Sequence, residues 1–337
     1  VGVVIDGCPA GVAICEEDIA RELRRRRPGG NCYVSPRQEE DAPRLLSGVF
    51  EGATTGAPVA IWIENRDADS TPYDAVRHLL KPGHAQFTYL AKYGVFDHRG
   101  GGRASARETA ARVAAGAVAK ALLASWKIAC WAYLFSVGEV ICGRGELGKE
   151  YPLFCPDSRA RQEVEALLDS LRAEGDSIGG IVEGRARVGA GLGEPIYGKV
   201  EALLAGAMLS LPASKGFEIG AGFGAARMRG SVHNDPFVSD GGAIRSGKND
   251  AGGTLGGITT GEEIVFRVAF KPPSSIQQTQ QSVDLSGAPA TYAPPQGRHD
   301  PCVAIRAVPV VEAMTALTLA DLALRSRLSH LPDTETS

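Results

Sequence analysis

Glycine and proline interrupt this chain more than any other feature: 42 glycines and 20 prolines in 337 residues, against the ~7% and ~5% usual in globular proteins. Regular segments must therefore be short, with much of the length spent in the turns that join them. Four stretches escape this and keep helical spacing. Glu16 to Arg27 opens on Glu16, Glu17 and Asp18 and closes on Arg24 to Arg27, the polarity a helix dipole favours, before Pro28-Gly29-Gly30 stops it. Ala106 to Ser125 places Ala110, Val113, Ala114, Ala117, Val118 and Ala121 on one face, and Ser158 to Glu174 does the same with Val164, Leu167, Leu168 and Leu171. Val310 to Leu328 is a fourth, long and apolar. β-Branched residues between turn signals predict strands at Pro58–Glu64, Ile181–Val188 and Glu263–Phe270. Val1-Gly2-Val3-Val4-Ile5 reads as the interior of a strand with no initiator Met, so the natural chain is expected to begin earlier. Strands interleaved with a few long helices, without a strict strand-helix-strand rhythm, favour an α+β layered fold over a doubly wound sheet. A single compact domain over 1–330 is expected, with a flexible tail over 331–337.

With 44% apolar residues, 22% charged residues and a net charge of −3, the chain has the balance of a soluble globular protein. Nucleic-acid binding, which calls for a strongly basic domain, is disfavoured. The seven cysteines form an odd set with no C-x-x-C pair, which speaks against a zinc site or a disulfide framework and for a reducing compartment, the cytoplasm. No apolar run reaches the ~18 residues that a membrane span requires.

The segment richest in chemistry runs from Lys81-Pro82-Gly83-His84-Ala85-Gln86 to Gly100-Gly101-Gly102-Arg103-Ala104-Ser105-Ala106-Arg107-Glu108-Thr109. A glycine run entering a helix leaves backbone N–H groups free for a phosphate or an anionic ring, and Arg99, Arg103 and Arg107 would reinforce it. Ser105-x-x-Glu108 is also a capping box, which needs no ligand. A cap requires neither three glycines nor three arginines in nine residues, so anion binding is preferred. His84, just ahead of that loop, is a candidate to pass a proton near neutrality. Arg298-His299-Asp300-Pro301 could be a charged anchor beside a base, or a solvated turn; the chemistry alone leaves both open. Gly220-Ala221-Gly222-Phe223-Gly224-Ala225 fits a dinucleotide pattern, but the next residues cannot make the helix that pattern needs. Gly252-Gly253-Thr254-Leu255-Gly256-Gly257 lacks the Lys-Ser/Thr ending of a P-loop.

Taken together, Ile5-Asp6-Gly7-Cys8-Pro9-Ala10-Gly11, Arg25-Arg26-Arg27-Pro28-Gly29, Leu46-Ser47-Gly48-Val49-Phe50-Glu51-Gly52, the His84 segment, Ser105-Ala106-Arg107-Glu108-Thr109, Gly175 to Gly180, Gly191 to Pro195, Gly252 to Gly257 and Arg298 to Pro301 resemble the chorismate synthases over essentially the whole chain. That resemblance implies a β-α-β sandwich with antiparallel or mixed sheets, assembled as a cytoplasmic homotetramer. It implies reduced FMN and 5-enolpyruvylshikimate 3-phosphate in one cationic pocket, with loss of phosphate by anti-1,4-elimination and no net redox change. The flavin contacts carried over are Arg103, Ala104, Ser105, Pro212, Ala213, Gly256, Lys271, Pro272, Pro273, Ser274, Ser275 and Arg298. Arg26, Arg37 and Arg107 are carried over to the substrate's phosphate or carboxylate, whose geometry a guanidinium matches. His84 and Asp300 are carried over as catalytic groups, the first for the flavin's protonation and the second for the proton lost from the ring. NADPH as reductant and an outside reductant are both compatible with the motifs. The family's leading segment, with a second histidine, does not appear here, and the chain as written is expected to be catalytically poor. Cys32 replaces a frequent arginine, Gln86 a frequent aspartate and Ala104 a frequent serine. A nicotinamide-dependent dehydrogenase and a non-enzymatic flavin-binding protein are the competing readings.

Overall fold

The structure is a computed structural model that describes residues 1–337 apart from 31, 36, 68–70, 100, 295–299, 328 and 330–337. Two antiparallel sheets enclose a helical layer. The smaller has three strands, with Val59–Ile63 in the centre and Gly2–Ile5 and Pro43–Ser47 at its edges. The larger has five, in the order Val140–Ile141, Ala129–Val137, Gly180–Arg187, Ile264–Phe270, Ser214–Ile219. Every pairing in both is antiparallel, which leaves the antiparallel half of the antiparallel-or-mixed expectation.

Period-two patterning aims each sheet at the helices. Val59, Ile61 and Ile63 are buried on the small sheet while Trp62 between them is exposed. Ile264, Phe266, Val268 and Phe270 are buried on the large sheet, with Val268 level with Val182 and Val182 level with Leu134, both also buried. Between the sheets lie the helices Glu16–Arg26, Thr109–Ser125 and Ala304–Ser326. The alanines of Thr109–Ser125 let it approach the last helix closely. A side chain added at Gly116 would lie 2.4 Å from Ala313 Cβ, so the two helices meet backbone to backbone there.

The sandwich agrees with expectation, and Ser158–Glu174 forms over the bounds predicted, capped by Asp157 in front and by Gly175 in the left-handed conformation (φ 68°) behind. Two helix starts differ. Residues 106–108 make a 3-10 turn and the α-helix begins at Thr109; the last helix begins at Ala304 rather than Val310 and includes Pro309. Pro309 is the sixth residue of this helix and lacks the N–H that would bond Ile305 O; burial of Ile305, Val308 and Val310 holds these turns in place. That helix has 23 residues and is apolar enough to cross a membrane by length and composition, but it forms the centre of the sandwich, with 72% of its most apolar window buried. The tail expected over 331–337 lies outside the described residues.

Candidate active site

Four chain segments bring charge to the same end of the helical layer. Arg26 closes the first helix and is almost fully buried (1% exposed). Its guanidinium donates from Nε to Thr109 Oγ1 at 2.9 Å, from Nη1 to Asp41 Oδ2 at 3.2 Å and from Nη2 to Ala106 O at 2.8 Å. Burial and then the neighbouring Arg306 lower its pKa to about 9, Asp41 opposing them, so it stays charged at neutral pH. Arg107 donates to Asp41 and, at 2.8 Å, to Glu64 O. Arg37 donates to Glu39 at 2.8 Å, and Glu39 lies 3.9 Å from Arg107. Asp300 accepts from Ser35 N at 2.6 Å and from Arg306 Nη1 at 2.9 Å, and Arg306 Nε donates to Arg26 O at 3.1 Å. The three candidate substrate arginines and Asp300 thus belong to one cluster, in which four guanidiniums meet Asp41, Glu39 and Asp300. Arg37 Nε and Arg107 Nε are buried there without a partner among the described residues. Buried donors of that kind are costly unless something else accepts from them.

A second group stands beside the first. A narrow cavity is lined by Arg26, Ala106, Arg306, Pro212 and Phe270 among others. The residues following the last two pair through Lys271 N, which donates to Ala213 O at 2.9 Å. Ala213 has φ 66°, a left-handed conformation that costs a non-glycine residue roughly 1–2 kcal/mol and tends to mark functional turns. Lys271 Nζ donates to Gly83 O at 3.3 Å and Lys81 Nζ donates to Ser275 Oγ. Gly83 has φ 68°, and a Cβ there would lie 3.1 Å from Ser274 Cβ, so any other residue would be strained and crowd the approach of the His84 loop to 271–275. Burial first, then the charges of Lys81 and Lys271, push the His84 imidazole down to about 4, and its Nδ1 is buried with no partner among the described residues. The expectation that His84 titrates near neutrality is therefore corrected: next to two lysines and out of water, it is neutral.

Other expectations move as well. The N–H groups of Ala104, Ser105 and Glu108 donate to carbonyls within their own turns, and Ser105 Oγ caps the short 3-10 turn by accepting from Arg107 N. The arginines and lysines, more than the loop amides, supply the positive charge. Arg99 is spent on exposed Asp97. Arg103 is exposed beside half-buried Ala104 and Ser105. Pro272 is exposed, and Pro273, Ser274 and Ser275 are half-buried. Gly256 sits on an exposed hairpin turn; its neighbour Gly257 packs against Glu194 and Lys199, away from the cluster. Arg298 lies outside the described residues. Sequence assigned no site role to Asp41, Glu39 or Arg306, and none to Lys81 beyond its place at the start of the His84 segment. An acidic run such as Glu39-Glu40-Asp41 ordinarily reads as a solvated surface, and only its proximity to three arginines would have suggested otherwise. The Gly220 segment is followed by 3-10 turns and the four-residue helix Gly230–His233, too short for a dinucleotide site.

Fold and site together define a class: an α+β sandwich whose arginine cluster and nearby lysine pair suit small anionic ligands. Comparison with known proteins places it within that class. Residues 1–324 match the chorismate synthase family. The chain is 53% identical to a chorismate synthase of Protochlamydia amoebophila over 98% of its own length and 94% of the relative's. It is 52% identical to one of Archaeoglobus fulgidus, covering 97% and 93%. A crystal structure of chorismate synthase superposes with a TM-score of 0.73 at 32% identity, covering 96% of this chain and 87% of that one. The chain belongs to the chorismate synthase family, the lyases of the shikimate pathway.

Proposed function

We propose that this protein converts 5-enolpyruvylshikimate 3-phosphate to chorismate and phosphate by anti-1,4-elimination, with reduced FMN bound in the same cleft. The observation that carries the reading is the convergence of segments distant in sequence on one cleft, with more cations than carboxylates to neutralise them. Arg37 Nε and Arg107 Nε, without partners among the described residues, and Lys81 and Lys271, which meet no carboxylate among them, suit two anionic ligands, one at each end. Reduced flavin, when bound, supplies electron density that is recovered at the end of the reaction.

The chain's own residues do the rest. Arg37 and Arg107 receive the substrate's phosphate and carboxylate, their orientation already set by Glu39, Asp41 and Glu64 O. Arg26 braces that arrangement from beneath. His84, neutral in the free protein, can hold a proton once an anion offsets Lys81 and Lys271, which suits it to keep the flavin correctly protonated. Asp300, held by Ser35 N and Arg306, is the carboxylate for the proton leaving the ring. NADPH or an outside reductant supplies reduced flavin. The protein works in the cytoplasm as a homotetramer; seven free cysteines support the first, and exposed Val4, Trp62, Leu46 and Phe50 near the small sheet's outer surface support the second.

The test is anaerobic incubation of the full-length protein with reduced FMN and the enolpyruvyl substrate. Equal amounts of phosphate and chorismate are expected, with the flavin still reduced. A folded protein that releases neither would remove the assignment.

A further inference from the structure

The two ends of the cleft are neutralised differently. At the arginine end, Asp41, Glu39 and Asp300 meet the guanidiniums. At the other end, Lys81, Lys271 and His84 stand together, and among the described residues no carboxylate pairs with any of them. Among the described residues, Lys81 Nζ has Ser275 Oγ as its only polar contact, and Lys271 Nζ has Gly83 O. An ammonium has three protons to donate, so both lysines keep donors in reserve. Two partly buried like charges with no counter-ion are unfavourable by themselves, and the loops that carry them come close at Gly83, where a Cβ would lie 3.1 Å from Ser274 Cβ. Such a grouping becomes favourable when a ligand brings at least two negative charges and several acceptors. A phosphate monoester does so; a carboxylate brings one charge.

We infer that Lys81, together with Lys271, binds the phosphate monoester of the flavin, and that Lys81 is the residue by which the site distinguishes FMN from riboflavin. The inference rests on the flavin reading above. The substrate also carries a phosphate monoester, but the unmatched charge lies on the loop that touches 271–275, and the substrate's arginines lie at the opposite end. The lowered pKa of Lys81, about 8 through burial and then Lys271, agrees with a cation awaiting its anion.

The experiment is an anaerobic equilibrium titration of the full chain with reduced FMN, reduced riboflavin and the enolpyruvyl substrate, for the native protein, Lys81→Met and Lys81→Arg. A charged hydrogen bond is worth roughly 1.5–3 kcal/mol, so Lys81→Met should weaken FMN about 10- to 100-fold. Riboflavin should stay within about twofold of native, which also shows that the variant is folded, and Lys81→Arg should recover much of the FMN affinity. Equal weakening of both flavins would make Lys81 structural and overturn the inference. So would unchanged FMN affinity, or a loss confined to the substrate, which would assign the lysines to the other phosphate. A native protein that binds neither flavin would overturn the flavin reading itself.

Discussion

His84 shows how far a single residue's surroundings can move it from its ordinary chemistry. With its folded pKa near 4 and an unfolded value near 6.5, the unfolded chain takes up a proton over that window while the native one does not. Stability of the unliganded protein should therefore rise with pH between about 4 and 6.5, by at most about 1.4 kcal/mol per unit from this group. His84→Ala should flatten that part of the pH–stability curve measured by urea unfolding; an unchanged curve would mean the imidazole is not buried beside Lys81 and Lys271. The same variant should slow turnover roughly 100-fold or more while changing flavin affinity little, and an undiminished rate would take His84 out of the mechanism. Sequence singled out His84 but misjudged its charge, because burial and the approach of Lys271 depend on a loop nearly two hundred residues away. Asp41 was hidden for the same reason. Its neighbours in sequence are acidic and proline-flanked, and its partners Arg26 and Arg107 come from two other elements.

Among elements, those whose packing follows from their own periodicity were legible. Ser158–Glu174 carries its own cap and stop signals, and Ile264–Phe270 alternates buried and half-buried along its length. Ala129–Val137 was not anticipated, since Trp131, Tyr133 and Phe135 on its other face look as apolar as the core side and erase the alternation. The helical layer is pinned by a buried ion network joining its three helices: Glu312 accepts from Arg25 at 3.0 Å and from Lys120, and Glu22 accepts from both. Burial alone would raise the Glu312 carboxyl, but Lys120 and Arg25 outweigh it and hold it at about 2. Two glycines give a paired prediction on helix packing. Gly206→Ala in Val200–Leu209 meets nothing within 4 Å and should stabilise by about 0.5–1 kcal/mol. Gly116→Ala gains a similar propensity but drives a methyl into Ala313 and should be destabilising on balance, by about 1–2 kcal/mol in urea melts. Stabilisation at both positions would mean the two central helices are further apart than described.

On the scale of the whole molecule, the layered architecture was legible because strands and long helices alternate without a βαβ rhythm, and the number of motifs in order identified the family. What the sequence could not show is which charges neutralise one another, since that depends on how the two halves of the chain meet. In the proposed tetramer, partner chains would cover apolar side chains exposed here, among them Phe237 (68%) and Ile244 (79%) on the hairpin Phe237–Ser246, and sedimentation equilibrium should return four chains per particle. The central claim is that one cleft holds two anions at once, guanidiniums at one end and lysines at the other. The most direct measurement is anaerobic calorimetric titration of reduced FMN in the presence and absence of saturating enolpyruvyl substrate. The account predicts one flavin and one substrate per chain, bound together, with both affinities falling as salt rises. Displacement of flavin by substrate, or flavin affinity indifferent to salt, would contradict it.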